Sequence, residues 1–284
     1  NDNLRHIVSA RFTPRGDIVD RHGEELTTTM GKAGNFNRAV RYIPLSHILG
    51  FSHPVYGQAG LESSLNDVLR GLQGYPSATM VWNEVLYSQP PPGLDLRLSI
   101  DLETQRLADA LLGEATGALV LLNARTGEIL AVASHPYYDA NQLDDTYPVW
   151  RDDPTAPCFN RALQGAYQPG SAVAPFLLAI SGSPELFPAL PTDLSFTLQG
   201  QTLRCRVAAG PSATWADALR DGCPGALATL ATRLQAEQII QMYRSAGFYV
   251  TPSLPLPVLR ASIAGEVKDL AQTALGMDGL TVSP

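Results

Sequence analysis

Residues Pro90-Pro91-Pro92-Gly93 divide this 284-residue chain. Each proline lacks a backbone donor and holds φ near −65°, so neither a helix interior nor a central strand can run through them. A domain boundary is therefore placed there, giving residues 1–92 and 93–284. The second part is organised around Asn160-Arg161-Ala162-Leu163-Gln164-Gly165-Ala166-Tyr167-Gln168-Pro169-Gly170-Ser171. The Pro169-Gly170 pair stops what precedes it, and the apolar run from Phe176 to Ile180 predicts a buried helix after it. Ser171 is thereby presented at a first helical turn, where developing negative charge is favoured.

Composition narrows the class. Apolar residues make up 45% and charged residues 17%, which fits a folded globular chain. Net charge is −7 and no basic run occurs, which argues against nucleic-acid binding. No window is long and apolar enough to span a bilayer. The chain starts at Asn1, so a removed upstream segment is compatible with it. Cys158, Cys205 and Cys223 show no metal-ligand spacing. Free or buried thiols are the preferred reading; a Cys205–Cys223 disulfide, closing an 18-residue separation, is the alternative in an oxidising compartment. Of the five histidines, His6, His22, His47 and His53 show no helical ligand spacing, and His135 is assigned to packing or solvent contact over catalysis. No metal or cofactor is expected.

Local patterns predict the elements. Asp17 to Asp20 reads as a short strand, turning at His22-Gly23 into extended chain. Leu61, Leu65, Val68 and Leu69 predict one amphipathic helix closed by Gly71. Asp101 is an N-cap for a helix from Leu102 to Leu112, with Leu107, Ala110 and Leu111 expected inward. Ala118–Leu122 and Glu128–Ala133 flank a turn ending in Gly127, predicting a hairpin whose apolar strands are covered on both faces. Leu194 to Thr197 and Thr202 to Val207 read as short strands. Ala226 to Ala246 reads as one long helix with Leu227, Leu230, Leu234, Ile239 and Tyr243 in the core.

The serine stretch closely resembles the nucleophile motif of penicillin-binding proteins, N-R-A-x-x-x-x-Y-x-P-G-S-x-x-K-P. Arg15-Gly16-Asp17-Ile18-Val19-Asp20-Arg21-His22-Gly23 is similar to the R-G-x-I-x-D-R-x-G signature of the class B members. Tyr56-Gly57-Gln58-Ala59-Gly60-Leu61-Glu62 resembles their Y-G-x-x-G-(I/L)-E passage, and "LSIDLETQ" and the hairpin follow in the family's order. The resemblance implies an α+β fold: a β-lactamase-like transpeptidase domain, a sheet flanked by helices and C-terminally incomplete. A smaller N-terminal pedestal domain at 1–92 precedes the transpeptidase-like domain at 93–284.

The departures fall on letters that carry chemistry. Ser171 occupies the nucleophile position, but the lysine position is Ala174, and the only lysines are Lys32 and Lys268. Losing a positioned general base costs ~10²–10⁴ in rate. The second element, S-x-N, aligns with Gly222 and Pro224, and K-(T/S)-G is absent. The resemblance thus implies a pseudoenzyme: a catalytically inactive scaffold or regulator in peptidoglycan synthesis. The alternative is an active serine D,D-transpeptidase or β-lactam-binding protein using Ser171 with a non-lysine base, Tyr167 or Asp221. A third reading is a module holding peptidoglycan stem peptide without chemistry. The implied partners are other cell-wall synthesis proteins, stem peptide or β-lactam. Open sheet edges add a homodimer. The implied location is extracytoplasmic, with an N-terminal membrane tether.

Overall fold

The strand expected near Ile18 forms as β1 (Ile18–Val19) in a computed structural model. The structure describes residues 12–87, 91–182, 187–198, 200–206, 212–259, 269–277 and 280–284. His6 and Lys268 lie outside the described residues. β1 pairs antiparallel with β2 (Glu25–Lys32), which forms a hairpin with β3 (Asn35–Val40), Thr27 facing Val40 and Lys32 facing Asn35. The short strands β4 (Phe51–His53) and β5 (Gly57–Ala59) form a second hairpin. β6 (Leu96–Arg97) then pairs parallel with β1, giving the sheet order β3-β2-β1-β6.

That parallel pair carries the chain past the proline run and back into the first sheet. Gly16 and Gly93 make the approach possible: a Cβ on Gly16 would lie 2.0 Å from the Leu94 carbonyl oxygen, and one on Gly93 2.0 Å from that of Leu69. The chain divides by packing into two units, residues 1–164 with 253–257 and Pro284, and residues 165–252 with 258–283. This division falls later than the proline run because β6, and Asp20 accepting from the Leu102 N–H at 3.2 Å, tie the following segment to the first sheet.

In the first unit the helix α1 (Leu102–Leu112) has its expected bounds, with the Asp101 carboxylate accepting from the Thr104 N–H. Its buried face differs from the expected one. Leu107 and Leu111 are 61% and 71% exposed, whereas Leu102, Gln105, Ala108 and Asp109 are buried. The reason is polar. The Gln105 amide bonds both backbone groups of Val132, accepting from its N–H at 2.7 Å and donating to its carbonyl at 3.0 Å. The segment 60–69 is also not one helix: Gly60–Ser64 and Asn66–Leu69 are separate turns broken at Leu65. Their inward turn is dictated by Glu62, wholly buried between two arginines.

The expected hairpin forms as β7 (Gly117–Leu122) and β8 (Ile129–His135), antiparallel with Val120 opposite Val132. β8 is buried from Ala131 to His135, whereas Leu121 and Leu122 of β7 are exposed, so this strand is not covered on both faces.

The second unit is mostly helical. The turn Gly170–Val173 leads into α2 (Ala174–Ile180). Strands β9 (Phe196–Leu198) and β10 (Gln201–Leu203) form a short hairpin. Helix α3 (Trp215–Arg220) starts with a capping box between Thr214 and Asp217. The single helix expected over 226–246 is two: α4 (Pro224–Ala231) and α5 (Ala236–Ser245). Gln235 is extended and forms a capping box with Gln238, which restarts the helix. Leu227, Leu230, Leu234, Ile239 and Tyr243 are all buried, packed with Val173, Ala174 and Leu177. The Tyr243 hydroxyl donates to the Thr273 carbonyl in α6 (Leu270–Ala274) at 2.8 Å. Cys205 and Cys223 are joined as a disulfide, correcting the preference for free thiols; Cys158 is free and exposed. Among the described residues no helix is long and apolar enough to cross a membrane.

Candidate active site

The chemistry-bearing segment begins at Tyr167, whose backbone exchanges both hydrogen bonds with Val282, at 2.9 and 2.8 Å. Gly170 follows with φ +56°, and Gly276 packs on this turn so closely that a Cβ there would meet Gly170 N at 3.1 Å. The turn is thus clamped from the chain's last described segments. Ser171 sits in it exposed, and among the described residues its hydroxyl has no hydrogen-bond partner. Three residues on, Ala174 is buried in the core with Val173 and Leu177. The lysine position is therefore an apolar wall.

Gly222 is brought to the serine. A Cβ at Gly222 would lie 3.3 Å from Ser171 Oγ. Its φ is +62°, the left-handed region where a side chain is strained, which gives a physical reason for glycine at this place. Pro224 opens α4 and needs no N–H there. Between them, Cys223 is wholly buried and anchored to Cys205. These bonds fix the backbone beside the serine.

Asp221 precedes Gly222 directly. Its carboxylate accepts from Arg220 Nε at 2.9 Å and Nη2 at 3.1 Å, and its carbonyl accepts from the Arg206 N–H at 2.8 Å. The Arg220 guanidinium holds the Asp221 carboxyl below the usual carboxylate range. Arg220 also reaches Asp217 at 3.1 Å. Tyr167, the other candidate acceptor, is 40% exposed. The structure thus brings Gly222 to Ser171, with Ala174 buried three residues on; Asp221 precedes Gly222 in the chain and Pro224 follows two residues later.

His135 is structural. It is buried, with Nδ1 at 2.8 Å from the Gly113 carbonyl and Nε2 at 2.9 Å from Asp109 Oδ1. Asp109 Oδ2 also accepts from the Tyr42 hydroxyl at 2.8 Å and from Gln105 Nε2 at 3.0 Å. Sequence reading missed this buried network because a charged helix position carries no apolar signal. The i, i+4 pair of Gln105 and Asp109 was the only hint. Among the described residues no group of His, Cys, Asp or Glu is arranged to hold a metal.

Comparison with known proteins places this geometry. Residues 117–284 match the family model described as penicillin binding protein transpeptidase domain. The chain is 33% identical over 165 residues to peptidoglycan D,D-transpeptidase MrdA of Acinetobacter baumannii, covering 54% of this chain and 24% of that protein. It is 28% identical to peptidoglycan D,D-transpeptidase PbpA of Mycobacterium tuberculosis over 99% of this chain and 62% of that one. It thus spans about a quarter of the first relative and less than two thirds of the second. Among solved structures, the ceftriaxone acyl-enzyme complex of M. tuberculosis penicillin-binding protein A aligns with TM-score 0.84 at 24% identity, over 98% of this chain and 68% of that one. Pseudomonas aeruginosa PBP2 aligns with TM-score 0.73 at 22% identity, over 96% of this chain and 67% of that one. The α+β transpeptidase-like fold with a separate N-terminal subdomain is thereby established.

These findings overturn the expectation that the chain is not an enzyme. Its relatives by sequence are D,D-transpeptidases. The substitutions at Ala174, Gly222 and Pro224 have not dismantled the turn that exposes Ser171. The changed letters at Ala174, Gly222 and Pro224 and the absent K-(T/S)-G were weighed above the match to the family, and the reading of an active serine protein is the one its relatives favour.

Proposed function

This chain belongs to the penicillin-binding-protein transpeptidase family, and from that premise we propose that it is a serine D,D-transpeptidase or β-lactam-binding protein of bacterial peptidoglycan synthesis. Ser171 is the nucleophile, and a group other than lysine takes its proton. The observation that carries this reading is the approach of Gly222, whose Cβ position is 3.3 Å from Ser171 Oγ. The family's second element aligns on Gly222 and Pro224, and this approach supports that alignment and the assignment of Ala174 to the lysine position.

Asp221, the residue before Gly222 in the chain, is the proposed acceptor. Arg220 keeps its carboxyl low, so it is ionised near neutral pH and, with both oxygens already accepting from Arg220, takes a further proton only as a weak base. In the step proposed, Ser171 Oγ bonds to the carbonyl carbon of a stem-peptide amide or β-lactam and its proton passes to Asp221. The carbon–nitrogen bond then breaks as the nitrogen takes up that proton, leaving an acyl-serine. A weak acceptor makes this acylation slow. The Cys205–Cys223 disulfide supports an oxidising, extracytoplasmic setting. Residues 1–92 serve in this reading as the pedestal, with a tether to the membrane. Other cell-wall synthesis proteins are the partners, and β7, which among the described residues pairs only with β8, offers a homodimer contact.

The test is intact mass after long incubation with a reactive β-lactam. The native chain should gain one adduct, Ser171→Ala none, and Asp221→Asn should acylate at least about tenfold more slowly while keeping the native circular dichroism. A folded native chain that gains no adduct would overturn the proposal. An unchanged rate in Asp221→Asn would remove Asp221 from it.

A further inference from the structure

The sheet β3-β2-β1-β6 ends on β3, which among the described residues pairs only with β2. In an antiparallel ladder the backbone groups of alternate residues point to the partner strand, and those between point away. The end of β3 fixes which residues do which. The Arg41 N–H donates to the Leu26 carbonyl, continuing the register with β2, so Arg41 faces β2. Val40 faces the other way, and one side chain takes both of its backbone groups. Its N–H donates to Asn141 Oδ1 and its carbonyl accepts from Asn141 Nδ2, each at 2.9 Å. That amide makes the two bonds that a residue of a neighbouring strand would make. By the same alternation the N–H and C=O of Arg38 and Phe36 point outward, and among the described residues nothing pairs with them there.

This outer edge opens on a cavity of about 610 Å³, within the ~300–1,000 Å³ typical of ligand sites. Phe36 and Arg38 line it, and so do Asn37 and Ala39, whose side chains take the opposite face of the strand. Residues of both faces meet one cavity along the edge they share. Asn37 is exposed and Phe36, Arg38 and Ala39 are partly exposed, so the edge is open to solvent. The far wall includes β4, which among the described residues pairs only with β5. No residue of the second unit lines the cavity, so binding there is read independently of Ser171. A free edge beside a cavity suits an extended peptide, whose backbone matches the period of the edge and whose alternate side chains enter the cavity. Phe36 and Phe51 offer those side chains apolar walls. Of the charged groups in the lining, Asp144 stands furthest into solvent, 77% exposed although 3.2 Å from His53 Nε2. A cationic side chain complements it.

We propose that this edge binds an extended peptide segment of a partner protein by strand addition, continuing from Asn141 across Arg38 and Phe36, with a lysine or arginine toward Asp144. The experiment uses the whole chain, with backbone amide resonances followed by NMR during titration with acetyl-Val-Thr-Lys-Thr-Val-amide. In an extended conformation the valines and the lysine of this peptide share one face. The Phe36 and Arg38 amides should shift saturably and, when bound, exchange with solvent at least about tenfold more slowly. The same peptide with its backbone nitrogens methylated keeps the side chains but not the donors, and should bind at least about tenfold more weakly. Asp144→Asn, at an exposed side chain, should weaken binding about threefold. No saturable shift with the peptide overturns the proposal, and so does equal binding of the methylated peptide or unchanged affinity in Asp144→Asn. Phe36 and Arg38 amides that already resist exchange in the ligand-free chain overturn it as well, since the chain itself or a second copy then holds the edge.

Discussion

At the scale of single residues, burial and partner decide what a side chain does. His47 is buried, and its Nε2 lies 2.7 Å from the Pro157 carbonyl, to which it donates. Burial lowers its pKa to about 4, against the opposing pull of the Pro157 hydrogen bond. The unfolded chain, with an ordinary imidazole near 6.5, therefore takes up a proton before the folded one does. His47 thus contributes stability that is present above about pH 6.5 and is lost as pH falls toward 4. Urea unfolding at pH 7 and pH 4 should show the native chain losing roughly 3 kcal/mol more than His47→Gln. Equal losses would refute this assignment. Ala174 and Gly222 illustrate the same scale from the other side. Both are legible as departures from a pattern, but only the folded chain shows that Ala174 is core and that a side chain at Gly222 would meet the serine.

The element that best separates pattern from packing is α1. Its apolar spacing points to Leu107 and Leu111, yet the buried face carries Gln105 and Asp109. Asp109 receives the Tyr42 hydroxyl, the Gln105 amide and the His135 ring, so removing it strands several buried donors. Tyr42 in turn is held protonated, by burial first and then by this hydrogen bond, with its pKa raised. Asp109→Ala should therefore destabilise the fold by about 3–5 kcal/mol, and Leu111→Gln by no more than about 0.5 kcal/mol. Chemical denaturation of the two variants checks the order, and the reverse order would mean that hydrophobic spacing had been the better guide. The split of 226–246 into α4 and α5 teaches a related point. Its core positions were legible from period 3.6, while the break at Gln235 depends on a cap whose partner lies within the next turn.

For the molecule as a whole, the disulfide lies entirely in the second unit. Cross-linking 18 residues apart contributes roughly 3 kcal/mol in the chain-entropy model. Replacing both Cys205 and Cys223 by serine should lower the protection of α3 and α4 amides against hydrogen exchange by that amount. Protection of β1, β2 and β8 should be unchanged. A uniform loss across the chain would instead mean that the two units unfold as one.

What the sequence by itself determined is what depends on neighbours a few residues away. The hairpin around Gly127, the Asp101 cap, the turn that exposes Ser171 and the apolar residues of α4 and α5 are all set by local backbone preference and period. Its motif order also carried the family. Tertiary structure alone decided which face of α1 is inward, whether Cys205 meets Cys223, and that Glu62 is buried between Arg15 and Arg38. Each of these depends on groups distant in the chain, such as Arg38 and Glu62 or Asp109 and His135. A buried polar group is stable only when such a partner arrives, and no local pattern encodes that arrival. The site divides along the same line: Ser171 could be read from its turn, but the approach of Gly222 could be found only in three dimensions.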